Sequence, residues 1–278
     1  MTIASSGAPL GWRLAAAAAI VFATIAVAAI TVRARSSEVD TQALESAEAA
    51  YAEGLALSRQ DPSSARARFL ESAALLEGAA RSAPTAAIHF NRANALARAG
   101  EVGHAIAAYR AAAALAPADA RIAMNLAQTR SSIARRLDPP PPTALDRAGS
   151  VWGVAEESSR WLAALLLFAA GASLLIATNR PRHALALSAA LALIGLAMLS
   201  ASTVLLDQWR RAAVTRVAVL TEPAVLRKGN GEGFEPVLAE PLPAGTEAIR
   251  TEERPGWLSI ALGDGTTGWV PASATTRP

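Results

Sequence analysis

The sequence predicts a multi-domain membrane protein in three parts: an α-helical repeat solenoid, a transmembrane helical hairpin and a small all-β barrel. Three observations carry this. Two uncharged apolar runs, Trp161 to Thr178 and Ala184 to Leu206, are each about long enough to cross a bilayer, and only a short polar turn separates them. Upstream, residues 36–137 are alanine-rich and helical, punctuated by glycine and proline. Downstream of Arg216, short β-rich runs alternate with turn residues.

Composition agrees. The chain has 278 residues, 52% of them hydrophobic, and a net charge of +3. Its basic pI reflects arginine, because Lys228 is the sole lysine. Neither soluble part carries a basic patch with interleaved aromatics, which argues against nucleic acid as a partner. With no cysteine there are neither disulfides nor thiolate metal sites.

At the N-terminus, Arg13 precedes an apolar run from Leu14 to Val32, and Ala26-Val27-Ala28 resembles a signal-peptidase site. Residues 1–35 therefore read as a signal peptide or a retained transmembrane anchor. Either one places residue 36 onward outside the cytoplasm. The charges flanking each apolar run nearly balance, so orientation rests on this export signal.

Residues 36–137 form the repeat region. Asn91 and Asn125 lie 34 residues apart, as do Ala93 and Ala127, and that is the period of a tetratricopeptide (TPR) repeat. Small Ala93 and Ala105 let two antiparallel helices approach closely. Gly100 closes the first helix, Tyr109 is the bulky packing residue, Ala112 a further small contact, and Pro117 ends the second helix. Arg121 to Arg135 opens the next repeat. Upstream, Thr41 to Arg59 and Pro62 to Arg81 form a looser pair, with Ala65 and Phe69 in the places of Ala105 and Tyr109. Repeats bury their apolar faces by stacking, and the stack leaves a concave surface lined by the first helix of each pair. Phe90, Asn94, Ala97 and Arg98, followed by Arg121, Met124 and Gln128, are expected to line it. There Asn94 would clamp a peptide backbone, and Arg98 and Arg121 would meet carboxylates. The competing reading leaves both arginines as solvated helix charges.

Residues 138–160 are a linker. Asp138-Pro139-Pro140-Pro141-Pro142-Thr143 predicts a stiff polyproline spacer, and Val151 to Ser159 an interfacial helix flanked by Trp152 and Trp161. Residues 161–206 are the two-helix hairpin. Its turn, Asn179-Arg180-Pro181-Arg182-His183, contains a helix-breaking proline. A hairpin returns the chain to the side it left, so the parts before and after it share one compartment.

Residues 215–275 read as the small β domain. Strands are expected at Arg216–Leu220, Ala224–Arg227, Pro236–Ala239, Glu247–Thr251, Trp257–Ala261 and Gly268–Pro271. Asp264-Gly265 is a hairpin-turn signal. The words Gly256-Trp257-Leu258 and Asp264-Gly265-Thr266-Thr267-Gly268-Trp269-Val270-Pro271 look like a bacterial SH3 domain. In that reading Trp257, Gly268 and Trp269 belong to the barrel core.

No catalytic constellation stands out. His89, His104 and His183 fall in separate parts, which argues against a shared metal site. The chain shows no nucleophile motif and no phosphate-binding loop, and Gly229-Asn230-Gly231-Glu232-Gly233 lies between strands. No cofactor is expected.

The order of parts resembles the BatE family, the tetratricopeptide proteins of bacterial aerotolerance (Bat) operons. Local words are similar too: His89-Phe90-Asn91-Arg92-Ala93-Asn94-Ala95, Gly100-Glu101-Val102-Gly103-His104-Ala105-Ile106-Ala107-Ala108-Tyr109-Arg110, and Asn125-Leu126-Ala127. Arg92 and Ala93 depart from the Leu-Gly usual in the repeat. The resemblance implies a non-enzymatic scaffold in the bacterial cytoplasmic (inner) membrane, with its TPR and SH3-like domains on the extracytoplasmic side. Its implied partners are membrane proteins with von Willebrand factor A domains and a MoxR-type ATPase. A wall-binding anchor gripping peptidoglycan through the SH3-like domain is the alternative. An enzyme is a third class without a supporting motif.

Overall fold

The computed structural model describes residues 41–133, 157–177, 184–214 and 216–278. The expected N-terminal signal or anchor, the proline spacer and the hairpin turn lie outside them. Described residues are mostly helical, with one antiparallel sheet, and fall into two compact units.

The larger unit begins with α1 (Thr41–Leu57), α2 (Pro62–Ser82), α3 (Ala86–Arg98), α4 (Val102–Leu115) and α5 (Ala120–Ser131). Local chemistry sets their ends. Asp61 caps α2, accepting from the Ser63 and Ser64 amides at 3.2 and 3.1 Å, and Pro62 fills the first turn, where no donor is needed. The hydroxyls of Ser63 and Ser64, with the Ser64 amide, hold the Asp61 carboxyl down to about 2. Thr85 caps α3 through the Ile88 amide at 3.2 Å. Gly100, at φ 81°, ends that helix in the left-handed conformation a side chain disfavours. Asp119 caps α5.

Small residues set the packing. Ala93, Ala95, Ala105 and Ala112 are fully buried. Gly54 admits the Phe69 ring, whose edge would lie 2.8 Å from an added Cβ, and Phe69 meets Tyr51 edge-on at 5.3 Å. Buried Ser72 is satisfied by donating to the Ala47 carbonyl at 2.7 Å, which ties α2 to α1.

The sheet has β1 (Val217–Leu220), β2 (Glu247–Arg254), β3 (Trp257–Ala261), β4 (Thr267–Pro271) and β5 (Thr275–Thr276), in the order β4-β3-β2-β1-β5. This corrects the expected barrel. β4 and the two-residue β5 form opposite edges of an open sheet. The expected strands Ala224–Arg227 and Pro236–Ala239 make only isolated bridges, such as Ala224 to Leu242 and Arg227 to Pro236. Pro223, Pro236, Pro241 and Pro243 lack the amide donors a continuous ladder needs.

β1 is buried on both faces. Ala218 and Leu220 join the sheet's core with Leu226, Leu242, Ile260 and Val270. Val217 and Val219 instead join the helical core with Ala105, Ile106, Ala108 and Tyr109. Helices α1–α5 and the sheet, expected as separate domains on either side of the apolar runs, thus pack as one unit. Gly103 sits so close to the Leu220 carbonyl that any Cβ would collide with β1 backbone. Gly245, at φ 87°, packs against Ile133, Ile106 and Val102.

The other unit contains α6 (Glu157–Ala177) and most of α7 (Ala184–Val214). The two helices pack antiparallel. Ser200 donates to the Arg160 carbonyl at 2.9 Å, and Gly171 leaves room for the Ala190 carbonyl and Ile194. Two spans were expected. Among the described residues one window, Leu187–Leu206, is long and apolar enough to cross a membrane, and the apolar part of α6, Arg160–Leu174, is shorter.

Candidate functional site

The inner face of α1, α3 and α5 carries two adjoining cavities. One of about 500 Å³ is bordered by Leu44, Glu48, Leu76, Ala87, Ile88 and Asn91, among others. The other, about 430 Å³, is bordered by Ala97, Arg98, Tyr109, Asn125, Gln128 and Thr129. Tyr51 and Asn94 line both.

Helical periodicity explains the grouping. Asn91, Asn94 and Arg98 recur at three- and four-residue steps and share one face of α3, while Ala93 and Ala95 turn inward. Asn125, Gln128 and Thr129 do the same on α5. Of the residues expected to line a groove, Asn94, Ala97, Arg98 and Gln128 surround the second cavity together.

Asn94 is held from inside the fold. Its Oδ1 accepts from the Tyr109 hydroxyl at 2.6 Å and from the Asn125 amide at 2.9 Å. Among the described residues its Nδ2 donates to no protein group. Burial raises the Tyr109 pKa, so the phenol stays a proton donor at neutral pH, with Arg98 close enough to oppose that rise.

Arg121 is engaged elsewhere. It reaches back to its own helix cap, Asp119, at 2.7 Å, and its guanidinium lies over the Phe90 ring at 5.8 Å. Phe90 in turn leans on Tyr109 at 6.0 Å. Met124 is 66% exposed and borders neither cavity. Asn91, expected as a packing residue, is exposed on the wall of the first cavity. Ala93, Ala105 and Tyr109 are buried, Asn125 is half-buried, and Pro117 lies in the turn after α4.

In the sheet, Gly268 is buried, with Leu226 only 2.7 Å from an added Cβ. Trp257 and Trp269 were expected in the core but are half-buried on the opposite face. Strand alternation requires this: Leu258, Ile260 and Val270 turn inward, so their neighbours turn away. Trp269 is covered by Arg254 at 5.0 Å.

Sequence reasoning missed one cluster. Glu247 opens β2 with its side chain only 3% exposed, and Arg110 of α4 and Arg130 of α5 both grip it. Arg130 does so with two bonds, at 2.6 and 2.9 Å. The available signal was Arg110, the only permanently charged residue in α4, where a charge makes sense only if something answers it.

His89 and His104 lie on different helices. His104 Nδ1 is 3.6 Å from Glu101. The His89 imidazole is partly buried without a partner for Nδ1, and its pKa is lowered by that burial and by nearby Arg92. Comparisons of this chain with protein-family models, with curated proteins and with solved structures found no match.

Proposed function

We propose that this protein is a non-enzymatic, membrane-anchored scaffold that holds a segment of a partner protein along the inner face of α1, α3 and α5. The observation that carries this is the pair of adjoining cavities sharing Tyr51 and Asn94. Stacked helix pairs leave such a surface because each pair buries its apolar side against the next. The reading treats α3 and α4 as a TPR unit, on the strength of the 34-residue spacing of Asn91 and Asn125. It treats the sheet as a small SH3-like fold that has become part of the repeat unit.

A single packed unit built from chain before and after the apolar runs occupies one compartment. The chain between therefore crosses the bilayer twice or not at all. The reading takes the Leu187–Leu206 window as one span and α6, apolar over Arg160–Leu174, as the other. With the expected export signal, the proposal has the repeat unit outside the cytoplasm of a bacterial inner membrane. Gly171, Ala190 and Ser200 between the two helices suit lipid, where close approach and hydrogen bonds supply the association. By resemblance to the BatE family, the partners would be von Willebrand factor A-domain membrane proteins working with a MoxR-type ATPase.

The test is co-purification from detergent-solubilised membranes, comparing the intact protein with an Asn94→Ala/Arg98→Ala variant. Partner membrane proteins should come down with the first and be depleted with the second. Equal recovery moves the contact to the helical hairpin or the sheet. Recovery of no protein by either favours the peptidoglycan-binding alternative.

A further inference from the structure

The two cavities differ in chemistry. The first is walled largely by apolar side chains, among them Leu44, Leu76 and Ile88, and its one charged group is Glu48. The second is walled by amides and hydroxyls and contains no carboxylate, and Arg98 is its one charged group. With Arg121 taken by Asp119, Arg98 stands on this face as an exposed guanidinium with no ion pair among the described residues. It borders the same cavity as the Tyr109 phenol. Asn94 marks the junction, with its carbonyl fixed by Tyr109 and Asn125 and its Nδ2 without a protein acceptor among the described residues.

We infer that the groove reads a two-part signal in an extended peptide: a bulky apolar side chain, and an acidic side chain four or five residues away. The inference rests on the partner-holding function proposed above and names the chemistry of the partner segment. Ile88 and Arg98 lie ten positions apart on α3, about 15 Å along a helix axis. An extended chain advancing about 3.3 Å per residue covers that distance in four or five residues. The apolar side chain fills the Leu44–Ile88 end, Asn94 Nδ2 donates to a ligand carbonyl between, and the acid meets Arg98. Charge complementarity sets the polarity: an acid at the Glu48 end is repelled and one at the Arg98 end is paired. A charge-assisted hydrogen bond of this kind is worth about tenfold in affinity.

The experiment is selection of random dodecapeptides on the purified full-length protein in detergent, followed by fluorescence-anisotropy titration of the best peptide and of its Asp/Glu-to-amide counterpart. Enriched peptides should carry an acid four or five residues from a bulky apolar residue. The Arg98→Gln variant should weaken the acidic peptide about tenfold and leave the amide counterpart unchanged. Ala87→Glu, an exposed change on the wall of the apolar cavity, should erase the apolar preference. Enriched peptides without that pair, or equal weakening of both peptides by Arg98→Gln, overturn the inference and leave the groove function standing. If no peptide is enriched on the unaltered protein, the inference and the groove function fall together.

Discussion

Arg130 grips Glu247 with two hydrogen bonds, at 2.6 and 2.9 Å, across 117 positions of sequence. The pair joins α5 to the first residue of β2, and Arg110 of α4 closes on the same carboxylate. One buried acid thus holds α4, α5 and the sheet together. The same two helices supply Tyr109, Asn125, Gln128 and Thr129 to the groove, so the cluster also sets the spacing of its polar end.

Removing the charge of Glu247 leaves two arginines facing each other with about a fifth of each side chain exposed. Glu247→Gln should destabilise the protein by about 3 kcal/mol, the low end of the range for breaking a buried pair, because water reaches both guanidinium groups. Thermal unfolding of the detergent-solubilised protein, followed by circular dichroism, checks this. An unchanged midpoint would mean that the apolar contacts of Val217 and Val219 suffice.

The contact between α4 and β1 depends on the absence of a side chain at position 103. Gly103→Ala should cost about 1–3 kcal/mol, because the added methyl meets β1 backbone that cannot rotate aside. Gly78→Ala is the control. It lies in α2 with nothing within 4 Å of the new Cβ, and should stabilise by about 0.5–1 kcal/mol through helix propensity alone. Similar effects at the two sites, measured by the same melting experiment, would remove the special status of the α4–β1 contact.

His89 gives the fold an acid sensitivity. Burial, and behind it the charge of Arg92, hold its pKa below the ordinary 6.5. The unfolded chain therefore binds the proton at a higher pH than the folded one. Stability is full above about pH 7 and is lost as pH falls through 6.5 toward the lowered folded value. The melting midpoint should drop between pH 7.5 and pH 5.5, and His89→Gln should flatten that drop. Parallel losses in both proteins would assign the effect to other groups.

The shared compartment is open to a direct check. Alkaline phosphatase fused after Pro278, or after residue 137, should be active at both points. A fusion within residues 179–183 should be inactive. A reporter after Pro278 that works only in the cytoplasm would sink the exported placement. Opposite sides for the two soluble fusions would contradict the packing of β1 on α4.

Local patterns determined much of this protein on their own. Helix ends were legible because caps act over three or four residues: Pro62, Gly100 and Pro117 mark the boundaries they were read to mark. Ala93, Ala105 and Tyr109, expected to pack between helices, are buried. The shared face of Asn94 and Arg98 was legible too, because one helix fixes which of its side chains point together. The apolar run through Leu206 was plain from composition, strand 257–261 was read at its observed bounds, and the next was expected at 268–271 where the structure has 267–271.

Tertiary structure decided what depends on distant partners. The sequence of α4 is apolar nearly all round, and the neighbouring helices cover one face of it. The other face is claimed by β1, more than a hundred residues later, and that contact turns two expected domains into one unit. Pairing partners, which sequence alternation does not specify, decided that the sheet stays open and that the two tryptophans turn away from its core. Arg121 illustrates the same limit within the groove. Its position on α5 was readable, but its engagement with Asp119 and Phe90 was not, because a long side chain settles on whichever charge and ring the fold brings within reach. Arg98 meets no acid among the described residues, and so remains the cation the second cavity presents.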